Sequence, residues 1–189
     1  MKKIFLSFMF VLFGVMAFAQ NNWQIDPMHS SFNFNIKHMG ISFVQGRFDK
    51  FNGKLTAKGT TLDNASLSIS IAPESINTGI EMRDSHLRSD DFFAAGKYPE
   101  MTFEGTSGTK DKNGAYVFHG KLTIKDITKE VNIPVIFGGI TKNKDGKEVM
   151  GLQAKFTIDR LDYNINYDSK ETGIAKDAEV SVYLELVKK

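Results

Sequence analysis

The chain contains no cysteine. That absence excludes disulfides, thiolate metal sites, a cysteine nucleophile and lipid attachment at an N-terminal cysteine, so an exported domain of this composition is held by its core alone. An excess of either charge is also missing. Lys and Arg number 24 against 22 Asp and Glu in 189 residues, with no basic footprint for nucleic acid and no polybasic cluster for an anionic membrane surface. Beyond residue 19 no apolar run approaches the ~20 residues of a membrane-spanning helix. Catalytic and phosphate-binding signatures are absent too. There is no G-x-S-x-G elbow, and Gly105 and Gly108 lie in a polar connection without the lysine pattern of a phosphate-cradling loop. The four histidines, His29, His38, His86 and His119, show neither i,i+4 nor H-x-E-x-H spacing, which leaves a metal only to residues gathered from distant strands.

What is present begins with a leader. Lys2 and Lys3 precede an apolar run over 4–16, and Ala17-Phe18-Ala19 supplies a small-x-small cleavage pattern. An export signal over 1–19, cleaved before Gln20, is therefore expected, leaving a single domain over 20–189. Losing Lys2 and Lys3 brings the basic residues down to 22, equal to the acidic ones, so the processed protein carries no formal net charge.

Period-two alternation dominates the rest. Phe32, Phe34 and Ile36 alternate with Asn33, Asn35 and Lys37, and Ala65, Leu67, Ile69 and Ile71 with Ser66, Ser68 and Ser70; each pattern is that of a half-buried strand. Eight strands are predicted, at 31–38, 42–56, 62–72, 101–107, 115–124, 129–138, 149–160 and 177–187. Gly40, Asn113-Gly114 and Asp145-Gly146 supply hairpin turns, since these residue types accept positive φ. With little helix to cover a sheet, the fold class is all-β, an antiparallel barrel closed to hide its edges. Eight strands enclose either a solid core or one small ligand. Phe32, Phe34, Phe48, Tyr116, Phe118, Phe137 and Phe156 occupy the apolar face, but periodicity does not decide whether they meet or leave a tunnel.

One stretch breaks the alternation. "SINTGIEMRDSHLRSDDFF", residues 75–93, concentrates charge and predicts a short helical segment around 77–95, capped by Asn77 or Thr78, with Glu81, Arg83, Asp84 and Arg88 solvated and Met82, Leu87, Phe92 and Phe93 turned inward as a lid. Asp84, Ser85 and His86 are the ingredients of a hydrolytic triad, yet neighbours on a helical turn point apart and do not form a nucleophile–base–orienter chain.

"SINTG", "RDSHLRSDDFF" and "KYPEMTFEGT", with "WQIDPMHSSFNFNIKHMGISFVQGRF" before them and "GKLTIKDITKEVNIPV" and "IDRLDY" after, resemble the YceI-like family of polyisoprenoid-binding proteins, in order from about residue 23 to 187. The resemblance implies an eight-stranded lipocalin-like barrel, usually exported to the periplasm or secreted, holding an isoprenoid chain such as a quinone or prenyl pyrophosphate in an apolar tunnel. It implies no enzyme activity and no cofactor beyond the bound lipid. For the tunnel, alternation selects Phe32, Phe34, Ile36, Phe48, Leu67, Ile69, Phe103, Tyr116, Phe118, Leu122, Ile133, Val135, Phe137, Phe156, Val182 and Leu184. Arg83, His86, Arg88 and Arg160 are the candidates for an anionic headgroup, weighed against intramolecular pairing with Asp84, Asp90 or Asp91. Asp126 and Asn164 stand where the family often has glycine, and Ala94 where an acidic residue is common. Two other readings stay open: a filled-core structural or interaction protein, and an enzyme acting on a bound isoprenoid through His38 or His119. No nucleic-acid partner is expected, and a homodimer is left open.

Overall fold

The computed structural model describes residues 20–189 except Thr109, Asp111 and Asn113; the leader over 1–19 and the turn residue Asn113 lie outside the described residues. Alternation becomes strand nearly everywhere it was read. The segments are β1 (Gln20–Ile25), β2 (Ser31–His38), β3 (Ser42–Phe48), β4 (Phe51–Lys58), β5 (Ser66–Ile71), β6 (Ile76–Asn77), β7 (Met101–Ser107), β8 (Tyr116–Ile124), β9 (Ile127–Lys142), β10 (Glu148–Asp159) and β11 (Ile174–Lys188), with one α-helix, α1 (Glu81–Arg88), among the described residues.

These eleven segments occupy eight positions in a closed antiparallel barrel. β1 pairs with the end of β11, Leu186–Lys188, while β2 pairs with the same strand from Ile174 to Tyr183, so β1 and β2 form one interrupted position. β3 and β4 repeat the arrangement against β2 and β1, and β6 and β5 against β3 and β4. β7 to β11 then follow as successive neighbours, and the β1–β11 pairing closes the circuit. Closure removes the free edges that an open sheet would expose, except along β3 over Ser42–Gly46, which pairs with β2 on one side only.

The interruptions are where the structure departs from the expected strands. A single strand over 42–56 is broken at Asp49 and Lys50, because both residues are engaged from outside the ladder. Asp49 accepts hydrogen bonds from Arg47 Nε (2.6 Å) and Asn77 Nδ2 (2.8 Å), and the Lys50 N–H donates to Ser75 Oγ (2.8 Å). The strand expected over 62–72 begins only at Ser66, since Leu62 turns the chain: its carbonyl accepts from the Ala65 N–H and from the buried Ser107 hydroxyl. β1 was not expected at all. It is short and cut off from β2 by Asp26-Pro27, which masks its continuity with the Phe32 pattern.

The hairpins at Gly40 (φ 73°) and Gly146 (φ 77°) form as read. At the β8–β9 turn the left-handed residue is Lys125 (φ 57°) rather than Asp126, whereas Asn164 (φ 56°) does take the left-handed conformation. Trp23, Leu55, Leu62, Phe118, Met150 and Leu186 are fully buried and pack the β1 end of the barrel solid. A second apolar cluster, Phe92, Met101, Ile124, Tyr163 and Ile165 with Phe48, Leu87 and Phe93 against it, gathers at the other end. That division leaves a plugged floor and a covered mouth.

Candidate functional site

Between floor and mouth lies a cavity of about 1220 Å³, which answers the question periodicity left open: the barrel is not filled. Its wall follows from strand register. Phe32 on β2 faces Phe48 on β3 and Val182 on β11; Val182 faces Ala154 on β10, which faces Val135 on β9. One row higher, Phe34 lies between Gly46 and Val180, and Val180 faces Phe156. A Cβ at Gly46 would come within 2.4 Å of the Phe34 ring and 2.8 Å of Thr78 Cγ2, so glycine there lets the ring lie over β3 and the lid approach it.

Of the residues expected to line a tunnel, Phe32, Phe34, Ile36, Phe48, Leu67, Ile69, Phe103, Phe118, Leu122, Ile133, Val135, Phe156, Val182 and Leu184 stand in the cavity wall. Tyr116 and Phe137 do not. Both face inward, as alternation requires, but they belong to the packed core, where their rings meet edge to face at 6.4 Å. Alternation reports the side of the sheet and carries no information about depth.

The lid is built differently from the expectation. Neither Asn77 nor Thr78 caps α1. Ile80 precedes the helix without a side-chain cap, because Gly79 (φ 78°) turns the chain between them. Asp84 instead reaches back, accepting from the Thr78 N–H (2.9 Å) and hydroxyl (2.5 Å), and is buried rather than solvated. Arg83 completes the clasp, with Nε donating to Thr78 Oγ1 (2.7 Å) and Nη2 to the Thr78 carbonyl (3.1 Å). Leu87, Phe92 and Phe93 cover the cavity, Phe93 standing edge-on to Phe48 at 5.7 Å. Met82 borders the opening but is 84% exposed, so it does not turn inward.

Of the cationic candidates, Arg83 and His86 lie at the mouth. His86 Nε2 pairs with Asp91 Oδ2 at 3.0 Å, and its ring meets Phe92 and Tyr167 edge-on at 5.0 and 4.9 Å. Arg88 is outside the cavity wall, tied to Glu81 (2.5 Å) and Glu74 (3.7 Å). Arg160 borders the cavity but has no donor to offer. Its Nε donates to Ala175 O, Nη1 to the Ile165 and Tyr167 carbonyls and Nη2 to those of Asp168 and Ile174, all within 3.1 Å. Five N–H groups meet five carbonyls, which satisfies a guanidinium completely. Burial pulls its pKa below the usual arginine value, opposed by Asp168, Glu171 and Asp159.

Asp168 fastens the same loop from the other side. Its carboxylate accepts from the Thr172 hydroxyl (2.6 Å) and from the N–H groups of Gly173 (2.6 Å), Ile174 (2.7 Å) and Thr172 (3.2 Å). The Thr172 hydroxyl, followed by the two backbone donors of Gly173 and Ile174, holds this carboxyl far below the usual aspartate range. The mouth therefore has a preorganised rim. Its apolar lining from Tyr163, Ile165, Tyr167 and Ile174 was missed in the sequence, although Tyr163, Ile165 and Tyr167 alternate with Asn164 and Asn166 and could have been read.

Among the described residues, the polar groups singled out in the sequence stand apart from one another. Ser85 is exposed and off the cavity wall, while Asp84 and His86 bond to Thr78 and Asp91. His119 lies on the outer face against Asn132 Oδ1 (2.6 Å), and His38 is exposed at the rim. Among the described residues, the one group with metal-ligand spacing is Asp26, His29 and Glu185, whose ligating atoms fall within 4.8 Å. It lies outside the cavity wall, in the break between β1 and β2. His29 Nδ1 is already hydrogen-bonded to Asp26 at 2.8 Å, which raises the histidine pKa and lowers that of the aspartate.

A sequence model of the YceI-like domain matches residues 23–186. The chain belongs to the YceI-like family. A UPF0312 protein of Staphylococcus aureus strain N315 is 40% identical over 154 residues, covering 80% of this chain and 87% of that protein. Among solved structures, the YCEI protein of Campylobacter jejuni superposes with a TM-score of 0.66 at 33% identity, over 82% of this chain and 90% of that one. A polyisoprenoid binding domain from Saccharophagus degradans shares the fold at a TM-score of 0.67 and 16% identity, over 88% and 98% of the two chains. The YceI-like barrel thus spans all eight positions described above, lid segment included.

Proposed function

We propose that this YceI-like protein is an exported carrier that holds one isoprenoid chain, of quinone or prenyl pyrophosphate type, for shielding, storage or transfer through water. The observation that carries the reading is the apolar cavity of about 1220 Å³, plugged at one end and rimmed with polar groups at the other. Burial there gains ~25 cal/mol per Å² of apolar surface without directional chemistry, which suits a tail that offers no hydrogen bonds. Capacity supports a long chain. A dry apolar cavity of ~150 Å³ takes up benzene; on that scale this volume holds at most about fifty non-hydrogen atoms, on the order of ten five-carbon units. The neighbour from Saccharophagus degradans is described as polyisoprenoid-binding, and the leader over 1–19 argues for a periplasmic or secreted location.

The headgroup would sit at the mouth. Arg83 and Lys37, both on the rim with His38 and His86, offer positive charge to an anionic head, whereas Arg160 holds the loop. Asp84 holds the lid and Arg160 and Asp168 the loop, so these three are not part of the headgroup site. Mass spectrometry of an organic extract from gently purified protein is the test. A stoichiometric isoprenoid is expected; a clean extract together with no uptake of added quinone or prenyl lipid refutes the carrier.

A further inference from the structure

Large apolar side chains on the outside of this barrel are unevenly distributed. Nine are more than a third exposed among the described residues, and six of these, Met39, Ile41, Phe43, Ile80, Met82 and Tyr167, belong to segments at the cavity mouth. Ile41 is 89% exposed at the tip of the β2–β3 hairpin. The tip is held against the mouth loop by the Met39 N–H, which donates to the Gly173 carbonyl at 2.7 Å. Ile80 and Met82, where the chain leaves its contact with β3 at Asn77 and Thr78 to enter α1, both border the cavity. Apolar surface thus continues outward from an apolar interior.

We propose that the hairpin tip and the start of α1 form a docking surface for a lipid bilayer, through which the cavity exchanges its contents. The inference rests on the lipid-carrier reading in one respect: a tail that partitions into the cavity also partitions into a bilayer, so an aqueous gap between the two is the barrier to remove. Contiguous exposed apolar patches on soluble proteins mark contact sites of this kind. The edge of β3 over Ser42–Gly46 pairs only with β2. Its free backbone groups need water or headgroups, which stops insertion at the depth of the side-chain tips. Lys37, whose Nζ lies 5.7 Å from the centre of the Phe43 ring, can lay its stem along the patch and keep its ammonium at headgroup level.

Charge argues for the mode of attraction. Residues 20–189 carry no net charge and no polybasic cluster, so docking is driven by apolar contact, proceeds on zwitterionic lipid and varies little with salt. Each well-placed side chain contributes roughly tenfold to the partition constant on the scale of aliphatic burial.

The test uses protein beginning at Gln20, because the apolar leader would bind vesicles by itself and the β1–β11 pairing closes the barrel without it. Sedimentation with phosphatidylcholine vesicles is compared for the wild type and for a Met39→Ser, Ile41→Ser double variant, neither residue being in the cavity wall. Farnesol uptake from water is measured in parallel. The expected result is salt-insensitive vesicle binding, weakened at least tenfold in the variant, with farnesol uptake unchanged. A wild type that stays in the supernatant, or a variant that sediments equally well, overturns the proposal. So does a wild-type dimer that the variant abolishes, since the patch is then an interface between copies. Vesicle binding without farnesol uptake upholds the docking surface and sinks the carrier reading.

Discussion

Replacing Ala154 with phenylalanine should stabilise the empty protein and weaken its hold on a long lipid. Ala154 lies on β10 between Val182 and Val135 and faces the cavity. A new ring there projects into unfilled space. Burying a phenylalanine side chain gains about 1.5–3 kcal/mol, less roughly 0.5–1 kcal/mol of rotamer freedom, for a net of about +1 to +2 kcal/mol. In a domain of this size that raises Tm by roughly 2–8 °C. The ring's six carbons also take the room of six ligand atoms, about one eighth of the cavity on the benzene scale. At about 0.3 kcal/mol per ligand atom, a chain that fills the cavity loses ~1.8 kcal/mol, or roughly twentyfold in Kd. A short chain such as farnesol leaves that space empty and binds as before. Calorimetry on delipidated protein and competition binding with short and long prenyl alcohols read the two effects separately. If the site were already packed, the ring would overpack it and destabilise by about 1–3 kcal/mol. Destabilisation with equal weakening of short and long chains therefore refutes the open cavity.

Arg160→Met should remove the donors for five carbonyls at the rim. Water replaces part of what is lost, leaving about 2–4 kcal/mol of destabilisation in urea unfolding, with hydrogen exchange over 165–175 rising first. Phe93→Ala should speed the release of bound lipid about tenfold, since its ring covers the cavity against Phe48; Ser85→Ala should leave release unchanged, and lipid loss from the serine variant alone would reverse the assignment of the lid. The Asp168 carboxyl is held below the value of 3.8 it has when free, so its anchoring of Thr172, Gly173 and Ile174 is fully present above about pH 5 and is lost as pH falls past 4 toward the folded-state value. Release rates should be flat across neutral pH and rise only in strong acid, with Asp168→Ala at pH 7 resembling the wild type there; a rise centred near pH 6 would point to a histidine and refute this.

Alternation identified the inner face, and the strands from β7 to β11 were legible because their patterns run uninterrupted for seven residues or more. β1 was not legible. Its Trp23 and Ile25 show two-residue alternation of their own, but Asp26-Pro27 hides their continuity with Phe32, and the evidence that they share a position is the pairing of Trp23 with Lys188 on β11, at the far end of the chain. Depth was invisible for a related reason. Tyr116 and Phe103 present the same pattern, yet one plugs the floor and the other lines the cavity, a difference set by barrel stagger that no local window contains. Arg160 was misjudged because its partners are backbone carbonyls, which no residue type advertises. Met82 was placed inward from helical periodicity alone, which a helix of eight residues anchored through Asp84 and Thr78 does not obey at its first turn.

The charged island owes its composition to the same interruption that opens the barrel. β6 is two residues long, so β3 beyond Arg47 has no neighbour on its outer side, and the chain between Asn77 and Met101 must cover a mouth that a longer strand would have closed. A ladder satisfies its own backbone groups; a short helix and its turns need side chains to do so. Thr78, Arg83 and Asp84 supply those bonds inside, and Arg88 with Glu81 and His86 with Asp91 tie down the outer face. Leu87, Phe92 and Phe93 meanwhile face the cavity. On the carrier reading these bonds suit a removable cover: the Thr78–Asp84–Arg83 clasp seats it from inside, and the outer pairs are exposed, so that water can replace them. Exposed pairs contribute only about 0–1 kcal/mol each, which keeps the cover weaker than the barrel beneath it. A lid closed by strand pairing would be more stable and, on the same carrier reading, would trap the lipid.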